Sequence, residues 1–307
     1  MNEHYHVENI EFNAEGVLLR GWLYRPTSVT IQVPVIVMAH GYNCIKELYL
    51  DKFAEVFAES GFAVLVFDNR NFGDSEGEPR QELDPWQQVK DYRHAISFMQ
   101  TQSWVDPNRI GIWGTSYSGG HVLVVAALDK RVKCVVSQVP TISGWETTLR
   151  RVRPSDLAQL RAQFDQDRMD RFKGSPPKML PMITDPNDKS QASHSSLDAW
   201  EFFTGKSSAA EDQWRFEKWR NEVTLRSVEM YSEYEPASYI ERIAPTPLLM
   251  LVAENDVVAV TDQALAAFNR ARGIKKLNLF AGGHFSAYLE QFAALSEEAA
   301  LWFKKYL

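Results

Sequence analysis

The stretch Ile110-Gly111-Ile112-Trp113-Gly114-Thr115-Ser116-Tyr117-Ser118-Gly119-Gly120 constrains this chain more than any other. An apolar run ends in a serine set among small residues, and the apolar segment His121–Leu128 follows at once. The pattern predicts a strand, a sharp turn and a helix, with the Ser116 hydroxyl carried on the turn as a nucleophile. Small residues around the serine let the backbone turn tightly and the helix pack close to the strand. Ser118 stands where the simplest Gly-x-Ser-x-Gly pattern has glycine, and Gly119 and Gly120 supply the room instead. Taken alone, the motif has a competing reading as a Gly/Ser-rich loop without chemistry.

The surrounding pattern predicts what the turn is built on. Val7–Phe12 and Val17–Tyr24 are β-rich runs either side of Ala14-Glu15-Gly16, a hairpin signal. Val33–Ala39, Phe62–Phe67, Arg109–Trp113, Val132–Gln138 and Leu248–Ala253 are apolar runs suited to buried strands of a parallel sheet, with Lys276–Phe280 as the last. Helical spacing marks Glu47–Glu59, Asp84–Met99, Gln263–Ala271 and Phe285–Tyr306. Strands alternating with helices imply an α/β fold, a mostly parallel central sheet with helices on both faces.

One segment breaks the alternation. Roughly a hundred residues separate the strand ending near Gln138 from the one starting near Pro247, where a crossover needs only about a dozen. Gly144–Ser238 is polar, rich in charge and tryptophan, and helical in pattern at Trp200–Phe203 and Trp214–Val223. We read residues 144–238 as a helical cap inserted between two parts of the core, 1–143 and 239–307. It would lie over the sheet edge where such folds bind ligands. An ordinary surface excursion is the alternative.

Further candidates follow other strand ends. Glu254-Asn255-Asp256 comes just past Leu248–Ala253, and Gly283-His284 just past the last strand. The order Ser116, Asp256, His284 is that of a nucleophile, orienting acid and base spread over one sheet. Asp256 is preferred to Glu254 because it lies further out on its loop. His40-Gly41-Tyr42-Asn43 follows the third strand, so the backbone N–H groups of Tyr42 and Tyr117 are the expected oxyanion donors. His40 reads as a structural hydrogen-bonding residue, and the Tyr42 phenol as either site-facing or packed. Cys44 reads as a small apolar residue, and Asp68–Ser75 as a loop tie built on hydrogen bonds and ion pairs. His94, His121 and His194 have no evident partners and read as structural or surface residues.

Composition excludes several classes. A net charge of −7 argues against nucleic acid as partner. Cys44 and Cys134 alone support neither a disulfide framework nor a zinc site, and no metal or cofactor is expected. The N-terminus lacks a basic region followed by an apolar run, and no stretch nears the ~20 apolar residues of a membrane span. A cytoplasmic location is the default expectation; a homodimer is left open.

His40-Gly41, Asp68-Asn69-Arg70-Asn71-Phe72-Gly73-Asp74-Ser75, Gly114–Gly120, Asp256 and Gly283-His284 together resemble an α/β-hydrolase. The run from Asp68 through Pro140 is similar to the polyketide transferase and thiohydrolase branch of fungal meroterpenoid pathways. It is also similar to bacterial esterase-like relatives of the dienelactone hydrolase and X-Pro dipeptidyl-peptidase type. The resemblance implies the fold and a Ser-His-Asp triad. It leaves the substrate open, because the cap shapes the pocket. The expected substrate is a small ester or thioester, cleaved through an acyl-serine. The rivals are an acyltransferase using an alcohol as acceptor and a non-catalytic binding protein. Arg150, Arg151, Arg153, Arg161, Arg168, Arg171, Lys173 and Lys178 make the first part of the cap basic. That suits either an anionic acyl carrier or a solvated face, since Asp165, Asp167 and Asp170 interleave.

Overall fold

The computed structural model describes residues 3–27, 32–188 and 190–307. Met1 and Asn2, part of the stretch read as lacking a leader, lie outside them. β1 (Tyr5–Ala14) and β2 (Val17–Pro26) form the expected antiparallel hairpin. β3 (Val33–Ala39), α1 (Leu50–Glu59), β4 (Ala63–Phe67), α2 (Pro85–Gln100), β5 (Val105–Thr115), α3 (Tyr117–Leu128) and β6 (Val132–Gln138) then alternate. Asp84 caps α2 rather than belonging to it; its carboxylate accepts from the N–H groups of Trp86 and Gln87, with Pro85 at the first helical position. α1 starts at Leu50, not Glu47, because Tyr49 has φ +67° and cannot continue a helix backwards.

After β6 the chain leaves the sheet. It forms α4 (Gly144–Arg151), α5 (Leu157–Phe172), the two-residue strand β7 (Met179–Leu180) and α6 (Leu197–Phe203). A 3-10 turn at Ala210–Phe216, β8 (Val223–Thr224), α7 (Leu225–Ser232) and a second 3-10 turn at Pro236–Arg242 follow. Trp214–Val223 is therefore not the helix its spacing predicts. Its polar groups are drawn to the core instead: the Trp219 indole donates to Asn43 O at 2.9 Å, and Lys218 pairs with Asp74 at 3.0 Å. The two ends of the excursion are joined, since Gly144 N–H donates to Tyr234 O at 2.8 Å and Ala237 N–H to Ile142 O at 3.1 Å.

β9 (Leu248–Ala253), α8 (Thr261–Arg270), β10 (Lys275–Phe280) and α9 (Phe292–Tyr306) complete the chain. The sheet order is β1-β2-β4-β3-β5-β6-β9-β10, antiparallel at β1–β2 and β2–β4 and parallel elsewhere. Two expectations at this end need correction. β10 is an edge strand and half-exposed, with only β9 beside it, so lysines and an asparagine are tolerated along it. Phe285–Tyr306 is not one helix: His284–Ala287 is a 3-10 turn, and α9 starts at Phe292. One tertiary and one local bond break the run: the Tyr288 hydroxyl is held by Thr115 Oγ1, and Gln291 N–H turns back to Ser286 O.

α3 is buried along nearly all its length and shows no polar face, the pattern of a helix enclosed within the core. Strand order runs outward in opposite senses from β3, to β4 on one side and β5 on the other. The crevice at the C-terminal ends of β3 and β5 is thus the switch point where such sheets take ligands. Among the described residues no helix is long and apolar enough to cross a membrane.

Candidate active site

Ser116 sits in that crevice, between β5 and α3, at φ +57° and ψ −117°. A serine in such a conformation costs on the order of 1–3 kcal/mol and persists only when its surroundings fix it. Here its N–H donates to Gln138 O at 2.9 Å, and its carbonyl accepts from Thr141 N–H at 2.9 Å and Gly120 N–H at 3.2 Å. Gly119 supplies the close approach: a Cβ there would stand 2.7 Å from Gln138 O. Ser118 earns its place differently, its hydroxyl donating to His40 O at 2.5 Å. The residue that departs from the simplest motif ties the helix after Ser116 to the loop after β3.

Asp256 and His284 follow the parallel neighbours β9 and β10, whose last residues Ala253 and Phe280 are in register. His284 Nδ1 lies 2.7 Å from Asp256 Oδ2, and His284 Nε2 lies 3.0 Å from Ser116 Oγ. The geometry is satisfied when Nδ1–H donates to the carboxylate and Nε2 accepts from the serine hydroxyl. Burial pushes the Asp256 carboxyl up, but the His284 ring and the N–H groups of Ala259 and Val258 outweigh it and hold the carboxyl below its ordinary value. Glu254, the rival acid, is exposed.

The loop after β3 closes the other side. Asn69 N–H donates to His40 Nε2 at 3.0 Å and His40 Nδ1 lies 3.0 Å from Gly41 O, so both ring nitrogens are occupied. Burial keeps the imidazole neutral. Gly41 lies against Ser116, and the N–H groups of Tyr42 and Tyr117 have no hydrogen-bond partner among the described residues. Tyr42 follows Gly41, which lies against Ser116, and Tyr117 follows Ser116 itself. Below them Asp68 accepts from the N–H groups of Lys46 and Asp74 and pairs with the buried Lys46 ammonium at 2.8 Å, the tie expected of that loop.

The space opening on Ser116 and His284 is a cavity of about 30 Å³ lined by Cys44, Met182, Phe202, Phe203, Phe285 and Tyr288 among others, with no carboxylate in its wall. Burial raises the Cys44 thiol to about 12, so it stays protonated and apolar in character. A second cavity of about 610 Å³ lies beyond it, against α4, α5 and the segment from Gln191 to Ser196. Residues between β6 and β9 thus line both spaces.

Of the three histidines read as partnerless, His94 is half-buried near Glu15, and His121 is buried between the Tyr234 hydroxyl and Gln88 Oε1. His194 is the one sequence reasoning missed: it is buried, lines both cavities and bonds to Arg151. The basic stretch is largely engaged internally. Arg150 forks onto Asp262 at 2.6 and 2.7 Å, Arg168 pairs with Asp165 and Glu229, and Arg171 with Asp167. This favours the solvated-face reading over a carrier site.

The model of the X-Pro dipeptidyl-peptidase (S15 family) matches residues 15–286. The quorum-quenching protein AidA of Acinetobacter baumannii is 34% identical over 285 residues, covering 92% of this chain and 88% of that protein. Thiohydrolase aneE of Aspergillus aculeatus is 35% identical over 287 residues, covering 91% and 86%. The crystal structure of the α/β-hydrolase GrgF from Penicillium sp. sh18 superposes with a TM-score of 0.83 at 25% identity, over 98% of this chain and 99% of that one. With sequence and architecture agreeing along almost its whole length, the chain belongs to the X-Pro dipeptidyl-peptidase (S15) family and has the α/β-hydrolase fold.

Proposed function

We propose that the chain is a serine hydrolase that cleaves small carboxylic esters or thioesters through an acyl-Ser116 intermediate. The observation that carries this is the hydrogen-bonded row Ser116–His284–Asp256 beside two unpaired backbone donors. His284 Nε2 takes the Ser116 proton as Oγ attacks the carbonyl carbon. Asp256 keeps the proton on Nδ1 and stabilises the imidazolium. The negative charge developing on the carbonyl oxygen is met by the N–H groups of Tyr42 and Tyr117. The intermediate collapses, His284 returns the proton to the leaving alkoxide or thiolate, and the acyl group stays on Oγ. Water, deprotonated by the same nitrogen, repeats the sequence and releases the acid.

Residues 144–238 serve as the cap in this reading, since they wall both cavities. Esters and thioesters suit the site better than X-Pro peptides: the inner wall holds no carboxylate to anchor a free amino terminus. Acyl transfer to an alcohol is the second reading, favoured by the mainly apolar inner wall, which gives water few partners. Both are tested by mass spectrometry of products from a short acyl thioester, with and without an alcohol acceptor, using Ser116→Ala as blank. Free acid in both cases supports the hydrolase, and new ester in preference to acid supports transfer. Absence of product together with absence of fluorophosphonate labelling at Ser116 overturns both.

A further inference from the structure

The two N–H groups assigned to the oxyanion both belong to tyrosines, and the two rings touch. Tyr42 stands edge-on to Tyr117 at 5.5 Å, with an interplanar angle of 77°. Tyr231, on α7, packs against both. It stacks on Tyr117 at 5.6 Å and 26°, and meets Tyr42 edge-on at 5.5 Å and 88°. Offset-stacked and edge-to-face pairs at about 4.5–7 Å are the attractive arrangements of aromatic rings. Each ring of the three thus makes favourable contact with the other two, and one of them comes from the excursion between β6 and β9.

The two donors are not held equally. Tyr117 opens α3, is fully buried, and is backed by the His121 and Tyr234 rings at 4.6 and 5.6 Å. Tyr42 lies in a loop. Among the described residues its N–H has no partner, and its carbonyl accepts only from the Cys44 thiol at 3.3 Å, a weak donor. Its side chain is held more firmly: the ring lies against Tyr117, Tyr231 and His194, and the hydroxyl accepts from Ser193 at 3.0 Å. Two torsions with few allowed settings join that ring to its backbone, so fixing the ring constrains the N–H. Asn43 beside it adds two ties, its carbonyl accepting from Trp219 Nε1 at 2.9 Å and its amide donating to Arg220 O at 3.1 Å. Tyr231 is braced in turn. α7 starts against the loop before α2, where Thr224 N–H donates to Gln81 O at 3.2 Å and Leu83 N–H to Ser227 Oγ at 2.9 Å. Towards its other end Gly144 packs so closely that a Cβ there would stand 1.7 Å from Tyr231 O.

We propose that Tyr231 is a positioning residue for the oxyanion site, its ring wedged against those of Tyr42 and Tyr117 so as to hold the Tyr42 N–H in place beside the Tyr117 N–H. The excursion between β6 and β9 then contributes to the rate of the chemical step as well as to the walls of the pocket. This inference rests on the reading of Ser116 as the acylated group and of the two N–H groups as its oxyanion donors.

The test uses p-nitrophenyl hexanoate with Tyr231→Leu, Tyr231→Phe, Tyr42→Leu and the Tyr42→Leu, Tyr231→Leu pair, each checked by thermal unfolding. Tyr231→Leu is expected to lower kcat about thirtyfold with KM within threefold of native; Tyr231→Phe, which keeps the ring, restores kcat. The loss is smaller than the roughly 10²–10³ of a donor removed outright, because the Asn43 bonds remain. Hexyl trifluoromethyl ketone, whose adduct with the serine carries the oxyanion, is expected to inhibit less tightly by the same factor. Hexyl methyl ketone, the ground-state control, stays within threefold. Tyr42→Leu alone should cost as much, and adding Tyr231→Leu to it should change kcat less than threefold, since Tyr231 acts through the Tyr42 ring. Where Tyr231→Leu does not fold, Tyr231→Met takes its place in the same cycle. Losses that multiply in the pair, or a kcat and trifluoromethyl ketone inhibition within threefold of native in Tyr231→Leu, overturn the positioning role alone. Native protein that binds both ketones alike, or Ser116→Ala that still turns over, overturns the acyl-serine reading on which it rests.

Discussion

Replacing Gly41 by alanine asks whether the loop after β3 supplies an oxyanion donor. The added Cβ would stand 2.8 Å from Ser116 Cβ, 3.2 Å from its Oγ and 3.3 Å from Thr115 O. Carbon atoms rest at about 3.5–4.0 Å, so something must retreat by on the order of 1 Å. Ser116 is fixed by its three backbone hydrogen bonds, and β5 lies in mid-sheet. The displacement therefore falls on residues 41 and 42. Gly41 does not have positive φ, so alanine is permitted by its backbone and the effect is purely one of space. A donor moved off the developing oxyanion costs roughly 10²–10³ in kcat, about 3–4 kcal/mol of transition-state stabilisation. Overpacking by one methyl costs the fold about 1–3 kcal/mol, which leaves a domain of ordinary stability folded. The assay is kcat and KM on a p-nitrophenyl acyl ester beside a thermal unfolding curve. Kcat is expected to fall about 10²-fold with KM within a few-fold of native. A folded Gly41→Ala protein that keeps kcat within threefold of native refutes the placement of the donor at Tyr42.

Ser118→Ala removes the bond to His40 O and leaves that carbonyl with only the long 3.4 Å contact from Asn69 Nδ2. Denaturant unfolding is expected to show a loss of about 1 kcal/mol, with a few-fold drop in kcat as the loop loosens. Asp256→Asn leaves His284 without its carboxylate, and kcat is expected to fall by as much as ~10⁴. The same pair of proteins carries a pH signature. The Asp256 carboxyl is held below its ordinary value of 3.8, so its stabilising contribution is complete above that value and lost as pH falls through the lowered one. Native protein should therefore lose stability relative to Asp256→Asn on going from pH 5 to pH 2. A stability difference that stays constant over that range contradicts the assigned ion pair.

The buried strands were the most legible part of this chain. Val33–Ala39, Val132–Gln138 and Leu248–Ala253 are bounded in the structure as their runs suggest, because strands covered on both faces are mainly apolar along their length. Ser116 and Asp256 each stand just past such a strand and His284 just past the edge strand β10, and the sheet brings the three side chains within hydrogen-bond reach of one another. Residues whose conformation is set from outside their own segment were not legible. Tyr288 turns toward Thr115 and divides what reads as one helix, and Lys218 and Trp219 follow partners in the loops after β3 and β4. His194 is the extreme case. Nothing around it in sequence signals its place between the two cavities, which depends on Arg151, 43 residues earlier, and on Tyr42.

The join at the base of the excursion bears on how such a chain can diversify. Gly144 meets Tyr234 and Ile142 meets Ala237 before either end reaches the sheet, while Val135 and Leu248 pair directly across β6 and β9. What lies between those fastenings can lengthen, shorten or be exchanged by recombination without shifting a strand register. Ser116, Asp256 and His284 all stand outside those fastenings, on turns that follow strands of the sheet.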